Sequence, residues 1–180
     1  GTERAARRLP ERIWPRVVAG IRDLEEATGR TFGAGPEPLL VSVRSGAAQS
    51  MPGMMDTVLN LGLTCDLADA LAASTGDGEW ADDTWRRFRT SFGEIVLDDP
   101  VALPPADRVR AYRQRHGLGE GGGTAVTVQA MVFGNRDDDS ATGVLFSRDP
   151  GTGVPTLYGE WLPRAQGEDV VSGAGQPLAV

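Results

Sequence analysis

Pro38–Leu63, PLLVSVRSGAAQSMPGMMDTVLNLGL, decides how the chain is read. Leu39-Leu40-Val41-Ser42-Val43 is aliphatic and β-branched, which predicts a strand. Ser45 and Gly46 are expected to end it, leaving Arg44 at the strand end, followed by small and flexible residues. Met51–Met55 (MPGMM) holds a Pro-Gly turn signal, so a loop is expected there, with methionines as apolar plugs beneath it. A guanidinium at the end of a strand, beside a pliable loop, suits a phosphorylated ligand held against a sheet.

Upstream, Ile13, Val17, Ile21 and Leu24 recur at helical spacing within Pro10–Thr28, and Gly29 is a natural stop. Pro15 would disturb the first turns, so the regular helix is expected to begin there. Downstream, two helices are predicted, about Leu67–Ser74 and Trp80–Val96. Trp85, Phe88 and Phe92 share one face of the second and are expected to pack between helices. Asp98–Pro105 is a proline-punctuated break, Asp107–Arg115 a short polar helix, and Gly117–Gly123 a flexible linker. GEGGG lacks the preceding strand and following helix of a phosphate cradle.

The last third changes character. Thr124–Phe133 (TAVTVQAMVF) alternates and predicts a strand, as do Thr142–Ser147 and Thr156–Leu162. The turn-rich GNRDDDSA and RDPGTG between them predict an antiparallel meander. Helices in the middle and strands at the end make the class α+β rather than a repeating βαβ unit.

Composition excludes several functions. The chain has 180 residues, 40% hydrophobic and 24% charged, as in ordinary globular proteins. A formal net charge of −7 argues against a nucleic-acid partner. No apolar run is long enough to span a bilayer, and GTERAARRLPERIW lacks the apolar core of a secretory signal, so a cytoplasmic location is expected. All 18 basic residues are arginine, which removes Schiff-base and phosphate-loop lysine chemistry. The arginines at 4, 7, 8 and 12, and at 108, 110, 113 and 115, read as solvated helix faces. Cys65, the one cysteine, is expected to be an inert, partly buried thiol. His116 needs no role beyond a solvated site near a helix C-terminus.

Three groups of residues could carry chemistry. Arg44 could engage phosphate oxygens through parallel hydrogen bonds, or form a structural ion pair, for instance with Asp56. Gly134–Gly143 (GNRDDDSATG) could be a hairpin tip whose backbone approaches a phosphate, or a solvated turn. Its aspartates lack the spacing of a calcium loop. Glu160, Glu168 and Asp169, around Gln166, could hold ribose hydroxyls or magnesium, or be solubilising edge charges.

Two stretches carry a family resemblance. Pro38–Leu63, and Gly123–Gly173 (GTAVTVQAMVFGNRDDDSATGVLFSRDPGTGVPTLYGEWLPRAQGEDVVSG), resemble the nucleotide-binding domain of pyruvate, phosphate dikinase. LPERIWPRVVAGIRDLEEATGRTFG and WRRFRTSFGEIVL fall in the same order. Phosphoenolpyruvate synthases and rifampicin phosphotransferases are similar but looser, with SMPGMMDT favouring the dikinase branch. The resemblance implies a partial ATP-grasp-like domain with two lobes, 1–122 and 123–180. It also implies transfer of phosphate from ATP to a histidine on a separate phosphohistidine domain, serving a barrel that makes phosphoenolpyruvate from pyruvate. It further implies that Arg44 contacts the ATP phosphates and that Gln129 to Val132, Met131 included, lie along the adenine. Gly143 would belong to a glycine loop over the phosphates, and Glu168 would line the cleft. ATP and Mg²⁺ are the implied cofactors, with no metal ligand assigned in this chain.

Departures from the family pattern bear on activity. The family's glycine-rich start with its phosphate-binding lysine is absent, as is a strand pair with magnesium-holding acids. AGQPLAV replaces an arginine-containing continuation, Ala141 stands for a second lid glycine, and the helical insert before GTAV is cut to Asp98–Gly122. Phosphoryl transfer relies on such cationic and metal groups. The expectation is an ATP-binding portion inactive alone, or a non-catalytic interaction protein that keeps the fold.

Overall fold

A computed structural model of the chain describes residues 11–47, 56–97, 115, 124–171 and 175–180. The Met51–Met55 loop, the Asp98–Pro105 break, the Gly117–Gly123 linker and His116 fall outside these residues, as does the Asp107–Arg115 helix apart from Arg115. The chain divides into two compact units, 1–131 and 132–180.

In the first unit, helix α1 (Trp14–Thr28) has proline in its first turn, and Gly29 closes it in the left-handed region at φ 67°. Pro15 thus sits in the first turn, one residue after the helix begins, where an N–H has no intrahelical partner to lose. Ile13, Val17, Ile21 and Leu24 form its half-buried side. Strand β1 (Val41–Ala47) runs straight through Ser45 and Gly46, a correction to the expected stop. Both residues are held by pairing with strand β3 (Thr124–Ala130), Ser45 opposite Val126 and Gly46 opposite Ala125. A strand that sequence reading did not anticipate, β2 (Thr57–Leu61), pairs on the other side. The sheet order is β2-β1-β3, all antiparallel.

Helices α2 (Cys65–Thr75) and α3 (Gly78–Ile95) pack together, and α3 packs on β2. Each starts at a side-chain cap that satisfies an otherwise orphan N–H. Thr64 Oγ1 accepts from Leu67 N at 3.3 Å, and Asp77 Oδ1 accepts from Trp80 N at 2.9 Å. Leu39, Leu40, Val41, Val58, Leu63, Leu71 and Trp80 are buried and form the core of this unit. On α3 the buried line is Trp80, Ala81 and Thr84. Trp85, Phe88 and Phe92 are half-buried and contact one another at centroid distances of 5.7 and 5.4 Å. Gly62, at φ 110°, closes the turn after β2 where a Cβ would lie 2.8 Å from the Phe32 ring. No other residue type fits that turn without displacing the ring.

The second unit holds β4 (Ala141–Phe146), β5 (Tyr158–Pro163), the short helix α4 (Gly167–Val171) and β6 (Leu178–Ala179), with sheet order β4-β5-β6. The class is α+β. The expected three-stranded meander is corrected: its first strand, β3, belongs to the first sheet, where it pairs with β1 over seven residues. GNRDDDSATG is therefore a connection between sheets and not a hairpin tip. Cys65 is also corrected, since it is exposed in the first turn of α2. Among the described residues, no helix is long and apolar enough to cross a membrane.

Candidate functional site

The strand-to-loop stretch that opens the sequence reading supplies the best site residue. Arg44 lies in β1, the middle strand of its sheet, opposite Thr57 of β2 and Thr127 of β3. Residues directly opposed in an antiparallel pair share a face, so Thr127 and Gln129, which sits opposite Ser42, stand on the same face as Arg44. Arg44 Nη1 donates to Gln129 Oε1 at 3.3 Å, a diagonal cross-strand contact. Arg44, Thr127 and Gln129 are all exposed.

The alternative ion pair with Asp56 is absent. Asp56 instead offers its main-chain oxygen to Ser45, accepting from both N and Oγ at 3.1 Å. Among the described residues Arg44 has no carboxylate within ion-pairing distance. An exposed guanidinium bound only to a neutral amide keeps most of its five donors available to an anion.

Met131 follows β3 and continues its pairing, donating from N to Leu40 O at 2.9 Å. Arg44, Gln129 and Met131 thus belong to one sheet of the first unit. Val132, Gly143 and Glu168 belong to the second. Val132 is 89% exposed. Gly143 is a regular residue of β4 opposite Trp161, and a Cβ there would lie 2.7 Å from Glu160 O and 2.8 Å from Trp161 Cβ. Its lack of a side chain is explained by the approach of β5. Glu168 is exposed in the first turn of α4.

The aspartate-rich connection is firmly folded. Asp137 Oδ1 accepts from Ser140 Oγ at 2.6 Å and from Asp139 N at 3.2 Å, and Asp138 pairs with Arg164 at 2.7 Å. Ala165 N donates to Gly134 O at 3.0 Å, and buried Gln166 donates from Nε2 to Asn135 Oδ1 at 3.3 Å. These contacts give the turn a structural explanation. Among the described residues, no group of three or more His, Cys, Asp or Glu side chains could hold a metal ion.

A sequence profile described as the pyruvate phosphate dikinase, AMP/ATP-binding domain matches residues 6–179. The chain belongs to this family. Its relatives include a pyruvate, phosphate dikinase of Rhizobium meliloti, 40% identical over 233 residues and covering 95% of this chain and 26% of the relative. Pyruvate, phosphate dikinase 2 of Zea mays is 40% identical over 240 residues, covering 97% and 27%. The Giardia intestinalis pyruvate, phosphate dikinase is 39% identical over 234 residues, covering 92% and 26%. This chain of the family therefore spans about a quarter of the length of the curated relatives it matches. The matches also run over more positions than the 180 residues present, so these dikinases carry extra sequence inside the matched region.

What sequence reasoning missed is Thr127 and the strand β2. Thr127 is one of several small polar residues in an alternating strand, and only the β1–β3 register places it opposite Arg44.

Proposed function

We propose that the chain binds ATP through its phosphates, as the nucleotide-binding portion of a pyruvate, phosphate dikinase-like phosphotransferase. The observation that carries this is the Arg44 guanidinium, exposed on the middle strand of its sheet and without a carboxylate partner among the described residues, in a chain of an AMP/ATP-binding family. An exposed guanidinium on a sheet face favours an anionic ligand, and a triphosphate offers oxygens to match its planar fork. Gln129 accepts one hydrogen bond from the exposed guanidinium. In phosphoryl transfer such a group neutralises charge on the phosphate oxygens. Bound ATP, carrying its own Mg²⁺, would supply the phosphoryl group. The acceptor histidine and the pyruvate chemistry would belong to other parts of a longer polypeptide, with ATP-grasp architecture and a cytoplasmic setting as parts of the same proposal.

On resemblance we extend the proposal to Met131, Val132, Gly143 and Glu168 as nucleotide contacts, tested one by one through ATP affinity. Calorimetric titration with Mg-ATP is the principal test. Arg44→Ala removes charge-assisted hydrogen bonds worth about 1.5–3 kcal/mol, so ATP affinity is expected to fall roughly tenfold or more. Adenosine binding should be unaffected. No heat with ATP, or equal heat from Arg44→Ala, would instead favour an interaction protein that keeps the fold without the site.

A further inference from the structure

Strand β2 carries one residue more than β1 requires. Val41 faces Leu61, whereas Val43 faces Val58 and Arg44 faces Thr57, so Leu59 and Asn60 together oppose Ser42. This is a β-bulge. In an unbroken strand Val58 and Leu61, three residues apart, would point to opposite faces. The bulge brings both onto the face of Val41 and Val43. Had the register at Val41–Leu61 continued without it, Val58 would stand opposite Arg44, although Val58 is buried. One extra residue lets Val58 remain in the core while Arg44 stands beside Thr57 on the other face.

A bulge leaves backbone groups without strand partners; α3 takes up one of them and also receives the Asn60 side chain. Leu59 N donates to Ser91 Oγ at 3.2 Å, and Asn60 Nδ2 donates to Thr84 O at 3.1 Å. Asn60 adopts φ 56°, a left-handed conformation that asparagine tolerates better than most residues. Asn60 and Thr84 are both fully buried, and Asn60 Oδ1 has no hydrogen-bond partner among the described residues. Burying an open acceptor is unfavourable. An aliphatic side chain would avoid that penalty but could neither take the left-handed backbone easily nor donate to Thr84.

We propose that the Leu59–Asn60 bulge, held by Thr84 and Ser91 of α3, aims Arg44 at its ligand, making Asn60 and Ser91 positioning residues for phosphate binding. The inference rests on the reading of Arg44 as a phosphate ligand. It adds that the place of Arg44 in the sheet is set through contacts of β2 with α3.

The test uses the full chain as Asn60→Gly, Ser91→Ala and Arg44→Ala, with each of the first two also combined with the third. Glycine keeps the left-handed backbone but lacks the amide. Tripolyphosphate and adenosine are titrated separately. Asn60→Gly and Ser91→Ala are each expected to weaken tripolyphosphate binding by roughly three- to tenfold, the scale of one lost hydrogen bond. Adenosine binding should stay unchanged, and neither variant should add to the loss in the Arg44→Ala background. Equal losses for both probes, or the same loss with and without Arg44, overturn the positioning role. Should Arg44→Ala leave tripolyphosphate binding intact, the nucleotide reading fails instead. The bulge is then judged in the unliganded chain by the Arg44 Nε–Hε NMR resonance. A shift in both variants supports the aiming of Arg44 by α3, and an unmoved resonance overturns it.

Discussion

The two units of this chain differ in how they treat apolar side chains. The first gathers a core, with Leu39, Leu40, Val41, Val58, Leu63, Leu71 and Trp80 buried, although Trp14, Leu97 and Val126 stay exposed. In the second, only Leu162 and Ala165 are buried hydrophobics among the described residues. Leu145, Trp161 and Leu178, on one face of the β4-β5-β6 sheet, remain open, and so do Val144, Phe146 and Tyr158 on the other. A three-stranded sheet gains stability by covering at least one face. The second unit instead relies on polar tethers, notably Asn135–Gln166, Asp138–Arg164 and Thr142 Oγ1 to Ala165 O at 2.6 Å. Hydrogen bonds of this kind fix a turn's shape but contribute modest net stability. The difference teaches that Arg44 stands on the better-supported scaffold.

Core truncation should break the symmetry between the units most visibly. Trp80→Ala is expected to destabilise the first unit by about 3–5 kcal/mol. Trp161, 37% exposed, should cost only about 1–2 kcal/mol as Trp161→Ala. Urea unfolding of both variants checks this, and equal losses would remove the contrast.

Glycine substitutions sharpen it in the opposite direction. Gly143→Ala forces a Cβ into Glu160 O and Trp161 Cβ, and should cost about 1–3 kcal/mol by prising β4 from β5. Gly46→Ala meets no atom within 4 Å and should stabilise β1 by roughly 0.5 kcal/mol. Hydrogen exchange of β4 and β5 amides should accelerate in the first variant and not in the second.

A smaller effect concerns the first unit's helices. Thr64→Ala removes the cap of α2 and should cost about 1 kcal/mol, read as a lowered thermal midpoint. The smallest lies in the loop between β4 and β5. Asp149 accepts from Gly151 N at 2.7 Å and Thr152 N at 3.1 Å, and these hydrogen bonds hold its carboxyl below the usual 3.8. A depressed carboxyl stabilises the fold above its ordinary value, and that contribution disappears as pH falls through the lowered one. Asp149→Asn should therefore slightly flatten the acid limb of the stability curve, and an unchanged limb would show the loop to be inert.

Much of the first unit was legible because its signals are local. Ile13, Val17, Ile21 and Leu24 mark α1 by period, and Gly29 and Pro15 mark its ends. Strand β2 was hidden because its bulge breaks the alternation by which a strand is recognised, leaving Val58 and Leu61 out of phase. The partner of β3 was hidden for a different reason. The turn residues of GNRDDDSA favour a hairpin, but pairing with β1 extends the sheet across the whole of β1, and that choice is made by tertiary contacts far apart in sequence. Arg44 was identified from its place at a strand, although the strand continues past it. Gly143 falls within the strand expected over Thr142–Ser147 and was placed in a glycine loop by resemblance, while its close contact with Trp161 depends on a β4–β5 register that no short motif encodes.

The central claim is that Arg44 meets the phosphates of a nucleotide from the β1–β3 face. The most direct measurement is the Arg44 Nε–Hε resonance, followed by NMR while ATP or adenosine is added to the full chain. The account predicts a saturable shift with ATP and none with adenosine. A resonance that ignores ATP, or that moves alike with both, contradicts it.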